Sequence, residues 1–77
     1  MNKVLSELKI GQSGKIIKVN GEGAIRRRLF DMGVTPGAGV YFRKKAPFGD
    51  PIEIKIRGYE LTLRKAEAAC VEIELDK

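Results

Sequence analysis

The alternation of apolar and polar residues between positions 52 and 63 constrains the fold more than any other feature of the sequence. Isoleucine occupies every second position from 52 to 56, and Tyr59, Leu61 and Leu63 resume the pattern with polar residues between them. A period of two is typical of a β-strand with one buried face. Because Gly58 separates the two runs, they are predicted to form a hairpin with a tight turn at Arg57-Gly58-Tyr59.

Three further short segments show the same β pattern. Together with the hairpin they predict a mainly β fold of about five strands, arranged as a small barrel, because closure removes the exposed edges of a five-stranded sheet. An open sheet backed by a helix is the structural alternative. The apolar positions of the three segments are Ile17 and Val19, Val40 and Phe42, and Val71, Ile73 and Leu75.

Residues 22–33 interrupt the β pattern with a helical one. Ile25, Leu29 and Met32 fall at i, i+4 and i+7, which places them on one face of a helix in the first long connection. Gly33 is predicted to end this helix, since glycine commonly follows the last helical turn. A second, short helical turn is predicted at residues 64–69, just before the last strand.

Composition excludes several kinds of site. The 77 residues include no histidine and one cysteine, so neither an intramolecular disulfide nor a Cys/His metal site can be built within one chain. The length of the chain predicts a single domain, residues 1–77, and its composition predicts no metal site and no cofactor. Cys70 is predicted to be a small packing residue near a strand start, because no histidine is present to activate it.

The sequence also predicts a cytoplasmic protein without enzymatic activity. The amino terminus reaches Glu7 after an uninterrupted apolar run of only two residues, Val4 and Leu5, whereas a secretory signal needs about seven. No apolar run approaches the roughly 18 residues of a membrane span. The candidate acid/base pairs are Asp50 with Glu53 and Glu72 with Glu74, and the second pair lies on the polar face of a strand. No nucleophile, base and orienting group can be assembled.

Basic residues outnumber acidic ones by fifteen to ten, which gives a net charge of +5 and favours an acidic partner. Arg26, Arg27 and Arg28 occupy consecutive helical positions and spread over about 200°, so at least one is expected to lie across the barrel. These arginines form either a solvated helix face or a basic patch that residues 43–45 extend.

Residues 46–51, with the sequence APFGDP, are predicted to form a rigid corner before the hairpin. Pro47 and Pro51 restrict the backbone, and Gly49 supplies permissive backbone angles. Asp50 is predicted to fix the corner by accepting hydrogen bonds from nearby backbone amides. Phe48 lies at the tip of the corner, where its ring could be exposed.

Several motifs occur in an order that resembles one known family. They are LSELKIGQSGKI at 5–16, RRLFDMGVTPGAGV at 27–40, APFGDPIEIKIRGYELTLR at 46–64 and KAEAACVEIE at 65–74. Over residues 5–75 the chain is similar to ferrous iron transport protein A, the FeoA family. The resemblance implies a small SH3-like β barrel, a fold that also forms the C-terminal domain of iron-dependent repressors. Since no DNA-binding helices precede the barrel, it is expected to be free-standing.

The resemblance also implies a function. Members of the family are cytoplasmic accessory proteins of bacterial ferrous iron uptake and act on the membrane transporter FeoB, which carries a cytosolic GTP-binding domain. We therefore expect a regulatory protein-binding module that does not itself carry iron, since histidine is absent. The residues expected to contact the partner are Arg26, Arg27, Arg28, Phe48 and Tyr59, and those expected to shape turns are Pro47, Gly49, Asp50, Pro51 and Gly58.

Two other possibilities compete with this hypothesis. A nucleic-acid-binding barrel would explain the charge of +5 and would bind with a steep dependence on salt, although no nucleic acid is expected as a partner. The other possibility is an enzyme, which is the third hypothesis in order of preference. No membrane insertion is expected. The sequence leaves open a weak homo-oligomer formed through an unpaired strand edge or a surface patch.

Overall fold

The computed structural model describes residues 2–76, which form six β-strands and three short helical segments. The first helical segment, Leu5–Glu7, is a single 3-10 turn. The two α-helices are α1 (Gly23–Asp31) and α2 (Lys65–Ala68). The strands are β1 (Asn2–Val4), β2 (Ser13–Val19), β3 (Gly39–Lys45), β4 (Ile52–Ile56), β5 (Tyr59–Leu63) and β6 (Val71–Leu75).

The strands form one antiparallel sheet in the order β1-β6-β2-β3-β4-β5. The predicted mainly β class is confirmed, as are the helix in the first long connection and the helical turn before the last strand. The sheet has six strands, one more than the sequence pattern indicates. The additional strand, β1, is only three residues long and pairs with β6, with Lys3 opposite Ile73.

The β4–β5 hairpin forms around a two-residue turn. Ile56 and Tyr59 are directly paired, which leaves Arg57 and Gly58 as the turn. Both turn residues have positive φ, 49° at Arg57 and 84° at Gly58. A turn with two positive φ angles matches the right-handed twist of the flanking strands, so the local sequence specifies the register of the hairpin.

The predicted burial of Ile17 in β2 is wrong. Ile17 is 38% exposed, whereas its neighbours Ile16 and Val19 are buried. The physical reason is a register irregularity between Ile16 and Lys18 in the pairing with β6. A bulge adds one residue to one strand and reverses the alternation beyond it, so two apolar residues separated by three positions, Ile16 and Val19, both face the core.

Helix α1 is shorter than the predicted segment, and only part of its apolar face is buried. Leu29 is completely buried, but Ile25, one turn earlier, is 39% exposed. The apolar face predicted for α1 is therefore covered at Leu29 but only partly covered at its first turn.

Gly33 ends α1 as predicted, with φ of 89°. The N–H of Gly33 donates to the carbonyl of Phe30 at 3.0 Å, and the N–H of Val34 donates to the carbonyl of Leu29 at 2.9 Å. This pair of bonds defines a Schellman motif. Val34 and Leu29 are both buried, so the motif joins the end of α1 to the core.

The core fills the space between the inner face of the sheet, the 3-10 turn and α1. Phe42, on β3, is the largest side chain that is fully buried, at 1% exposure. The side chain of Glu67 in α2 is the one buried charged group among residues 2–76. Its carboxylate accepts the N–H of Arg64 at 3.0 Å, which caps α2. The buried apolar residues are Leu5, Leu8, Ile16, Val19, Leu29, Val34, Ala38, Val40, Phe42, Ile52, Ile54, Ile56, Leu63, Ala68, Val71 and Ile73.

Candidate partner-binding surface

The three arginines of α1 are exposed but differ in their contacts. Arg26 folds back over the end of β2, where its Nε donates to the carbonyl of Val19 at 3.3 Å. Its guanidinium carbon lies 4.6 Å from the centre of the Phe30 ring, within cation–π range. One arginine thus lies across the barrel, as expected. Arg28 points the other way and pairs with Glu67 of α2 at 3.5 Å.

The side chain of Arg27 makes no hydrogen bond or ion pair to the rest of residues 2–76. Together with Arg26 it lines a shallow groove of about 470 Å³ on α1. The other lining residues are Gly23, Phe30 and Asp31. Two guanidinium groups beside one carboxylate leave this groove with excess positive charge, which suits an acidic partner group.

The tip of the β4–β5 hairpin is fastened to the loop that follows α1. Arg57 donates from Nε to the carbonyl of Gly33 at 3.1 Å and from its terminal nitrogen to Oγ1 of Thr35 at 2.5 Å. The hydroxyl of Tyr59 donates to the carbonyl of Met32. We call these contacts the hairpin clasp. The sequence predicted Arg57 only as a turn residue. It gave no signal of the contacts that its side chain makes with the loop after α1.

Removing the hydroxyl group of Tyr59 tests the clasp. We expect Tyr59→Phe to lower the free energy of unfolding by about 0.5–1.5 kcal/mol, since one hydrogen bond to a backbone carbonyl is lost. Tyr41→Phe is the matched control, because the Tyr41 hydroxyl makes no hydrogen bond within residues 2–76. Urea unfolding of both variants measures the difference. Equal stabilities would show that the hydrogen bond from Tyr59 contributes nothing to the clasp.

The corner at residues 46–51 lies at the other end of β4. Phe48 is 96% exposed at its tip, and Pro47 precedes it. The corner is held by backbone bonds, from the N–H of Gly49 to the carbonyl of Ala46 at 2.7 Å and from the N–H of Ala46 to the carbonyl of Pro51 at 2.9 Å. The Asp50–Pro51 peptide bond is cis.

Asp50 accepts a hydrogen bond from a backbone amide, but not from one within the corner. Its Oδ1 accepts the N–H of Lys65 at 2.9 Å, across fifteen positions of sequence. Lys65 is the first residue of α2. Asp50 therefore connects the corner to α2 instead of only shaping its own turn.

The residues predicted to contact a partner fall into two groups. Arg26, Arg27 and Arg28 lie on α1, and Tyr59 reaches the end of the same helix through the clasp. Phe48 is separate, because the corner and the hairpin turn occupy opposite ends of β4. The predicted set is thus a basic helix face and an aromatic loop tip, not one continuous patch.

The described residues offer little for metal chemistry. No group of three or more His, Cys, Asp or Glu side chains that could hold a metal ion occurs within residues 2–76. Cys70 is half-buried immediately before β6, and its Sγ lies 3.5 Å from the carbonyl oxygen of Ala66. This is a packing position at a strand start.

The family model of the FeoA domain matches residues 3–75. The chain belongs to the FeoA family. FeoA proteins are associated with ferrous iron transport and are not a known class of enzyme. A relative in Porphyromonas gingivalis, an Fe(2+) transport protein A/Fe(2+) transporter FeoB fusion protein, is 38% identical over 71 residues. The match covers 92% of this chain and 8% of that protein, so the chain spans a small fraction of this curated relative's length.

Solved FeoA structures share the fold. The FeoA-like protein of Clostridium acetobutylicum is 40% identical, with a TM-score of 0.89 over 96% of this chain and 86% of that one. The FeoA of Stenotrophomonas maltophilia, described as an SH3 domain protein complexed with zinc, is 30% identical, with a TM-score of 0.82 over 94% and 89% of the two chains. The predicted SH3-like FeoA fold is therefore confirmed.

A more distant likeness concerns the fold alone. A manganese-dependent transcriptional repressor is 14% identical and has a TM-score of 0.89 over 96% of this chain and 36% of that one. Within residues 2–76, no helix is long and apolar enough to cross a membrane.

Proposed function

We propose that this chain is a cytoplasmic regulatory module that binds the membrane ferrous iron transporter FeoB and changes its assembly or nucleotide cycle. The observation that carries the proposal is the Porphyromonas gingivalis relative, in which a region 38% identical to this chain belongs to the same polypeptide as the transporter. Domains joined in one chain are held at high effective concentration. The fusion therefore supports a direct contact between a domain of this kind and the transporter.

The basic face of α1 supports a protein contact of this kind. Arg27 is exposed and uncommitted within residues 2–76, and Arg26 lies beside it in the same groove. Such charges accelerate association with an acidic surface and fix its orientation. Phe48 adds a fully exposed aromatic ring, a residue type enriched at protein interfaces. The proposed contacts are Arg26, Arg27, Arg28, Phe48 and Tyr59.

The proposal assigns this single domain, residues 1–77, no iron-carrying step and no cofactor. Ferrous iron in proteins is commonly held by imidazole and carboxylate ligands, and the chain has no histidine. The proposed action is mechanical or conformational, exerted on the transporter by binding.

Charge reversal at Arg27 tests the proposal. We expect the wild-type protein to bind full-length transporter in lipid nanodiscs saturably at about 0.15 M salt, where the Debye length is about 8 Å. Arg27→Glu is expected to raise Kd about fivefold, because a repulsive contact replaces an attractive one. Biolayer interferometry with and without a GTP analogue measures both effects.

Lys9→Glu is the matched control, since it changes net charge equally at an exposed position away from α1. An equal loss of affinity in both variants would assign the effect to net charge. Absence of saturable binding by the wild-type protein, with and without the GTP analogue, would contradict the proposed function.

A further inference from the structure

Strand β5 has one unpaired edge. It is the last strand in the sheet order and pairs only with β4. In a hairpin with a two-residue turn, the pair that flanks the turn exchanges both backbone hydrogen bonds, and such pairs then alternate along the ladder. Tyr59, Leu61 and Leu63 therefore bond to β4, while the N–H and C=O groups of Glu60 and Thr62 point away from the sheet.

The free part of this edge ends at Arg64, where α2 begins. The N–H of Arg64 donates to the carboxylate of Glu67 at 3.0 Å. The carbonyl of Arg64 accepts the N–H groups of Glu67 and Ala68, each at 3.0 Å. The backbone of Arg64 is thus fully bonded to α2. Glu60 and Thr62 are therefore the residues of β5 that remain available to another strand.

This edge lacks most of the features that protect edge strands from pairing with another chain. Proteins commonly shorten such strands or place lysine or proline on them. The opposite edge, β1, follows this rule with three residues that include Lys3. The sequence of β5, YELTL, has five residues and contains neither lysine nor proline. An unprotected edge of this kind is open to pairing with a further strand.

A second copy of this chain presents a matching edge. When two copies of β5 run antiparallel about a two-fold axis at Leu61, Glu60 of each copy lies opposite Thr62 of the other. Both of these pairs exchange their two backbone hydrogen bonds, because the N–H and C=O groups face the partner strand. All the outward backbone groups of Glu60 and Thr62 are then bonded. A two-fold arrangement of this kind uses the same surface on both copies and forms a closed dimer.

The side chains also match in this register. The hydroxyl group of Thr62 can donate to the carboxylate of Glu60 across the interface. The two Glu60 carboxylates lie diagonally to each other, and each keeps its ion pair with Arg43 of its own chain. Leu61, which is half-buried and packs against the core, lies opposite Leu61 of the second copy. Pairing therefore covers the exposed part of this apolar side chain.

The neighbouring registers are less favourable. A two-fold axis at Glu60 places two Glu60 carboxylates directly opposite each other, and like charges in that arrangement are destabilising. An axis at Thr62 pairs Glu60 with Arg64, whose backbone groups are already bonded to α2. The register centred on Leu61 avoids both the like-charge pair and the competition with α2.

From these observations we infer that two copies of this chain form a dimer through β5, in which their sheets join into one antiparallel sheet across a two-fold axis at Leu61. The contact is short, so the dimer is weak, with a Kd of about 0.1 mM. The inference does not rest on the proposed function, since it concerns this protein alone and is tested without the transporter.

Hydrogen exchange with residue resolution tests the pairing. Between about 10 µM and about 1 mM protein, we expect exchange of the Glu60 and Thr62 amides to slow at least about threefold, because these amides gain backbone acceptors in the dimer. The amide of Leu61 is the internal reference, since it is bonded to β4 in the monomer as well. Sedimentation equilibrium is expected to show the mass rising from 8.5 kDa toward twice that value. Unchanged exchange at Glu60 and Thr62 would overturn the inference, whether or not the mass increases.

Substitutions at Thr62 test the register, with circular dichroism to confirm that each variant folds. Thr62→Lys places an ammonium group opposite Glu60 of the second copy and is expected to lower Kd about tenfold. Thr62→Glu places two carboxylates opposite each other and is expected to raise Kd about tenfold. The controls, Ile10→Lys and Ile10→Glu, give the same net charges at a position that is 58% exposed and outside β5. They are expected to change Kd less than about threefold.

The directions of these effects distinguish the registers. Lysine on an edge strand ordinarily opposes pairing, so tighter association of Thr62→Lys would support the register centred on Leu61. In a dimer centred on Thr62, both substitutions would place like charges opposite each other and weaken association. Weaker association of both variants, or effects no larger than those of the Ile10 controls, would overturn the inference.

Discussion

Phe42→Ala is expected to lower the free energy of unfolding by about 3–5 kcal/mol, the range typical of removing a buried phenylalanine ring. Phe42 is 1% exposed in the middle of β3, so the substitution leaves a cavity that neighbouring side chains can fill only partly. Small proteins have a total stability of about 5–15 kcal/mol. A loss of this size should lower Tm by about 12 °C or more, measured by circular dichroism.

Tyr41→Ala is the matched control for this prediction. Tyr41 precedes Phe42 on the same strand, but its ring faces outward and is 45% exposed. Its removal changes the β propensity of the strand by a similar amount without opening a cavity. We therefore expect a loss below about 1.5 kcal/mol. Similar losses in the two variants would contradict the burial of Phe42 in the core.

The β4–β5 hairpin was predictable because its information is local. The alternation of residues 52–63 and the glycine at 58 specify strand, turn and register within twelve consecutive positions. Strand β1 was not predictable in the same way. Its three residues show no period, and it exists because β6, distant in sequence, presents an edge for pairing. The local sequence of β1 carries no signal of that edge.

The bulge in β2 illustrates a second limit. In β2, residues 16, 17 and 19 are apolar and residue 18 is lysine. Strict alternation assigns Ile17 and Val19 to the core. The structure instead buries Ile16 and Val19, because the ladder with β6 shifts between Ile16 and Lys18. A bulge depends on the partner strand, which periodicity within one strand does not describe.

The candidate site shows the same division between local and distant information. The exposure of Phe48 follows from its place at the tip of the corner, and that of the arginines on α1 follows from residue type and helical spacing. The tertiary contacts of the candidate site cannot be predicted from the local sequence in this way. Tyr59 reaches Met32 across 27 positions, and Asp50 reaches Lys65 across fifteen. These bonds appear only once the sheet has brought the segments together.

Gly14→Ala is expected to lower the free energy of unfolding by about 1–3 kcal/mol. At a position without a steric clash, the same substitution usually stabilises a protein, because alanine restricts the unfolded chain. A Cβ atom at Gly14 would meet the backbone carbonyl of Glu74 and would lie 2.6 Å from Cγ2 of Ile73. Carbon atoms in favourable contact are about 3.5–4.0 Å apart. Since β2 pairs with both β6 and β3 at this residue, the neighbouring backbone cannot move away without disturbing two ladders.

Gly39→Ala is the control that isolates this steric effect. Gly39 also lies in a strand and has no left-handed φ, and the nearest atom to its added Cβ is the carbonyl oxygen of Gly14, at 4.0 Å. Alanine there meets no clash and restricts the unfolded chain, so we expect stability to stay unchanged or to rise by up to about 1 kcal/mol. Urea unfolding of the two variants measures the difference. Equal stability of Gly14→Ala and Gly39→Ala would show that β2 and β6 are not packed as closely as the structure places them. A selective loss in Gly14→Ala would instead show that close approach of β6 to β2, and not backbone freedom, explains the glycine at position 14.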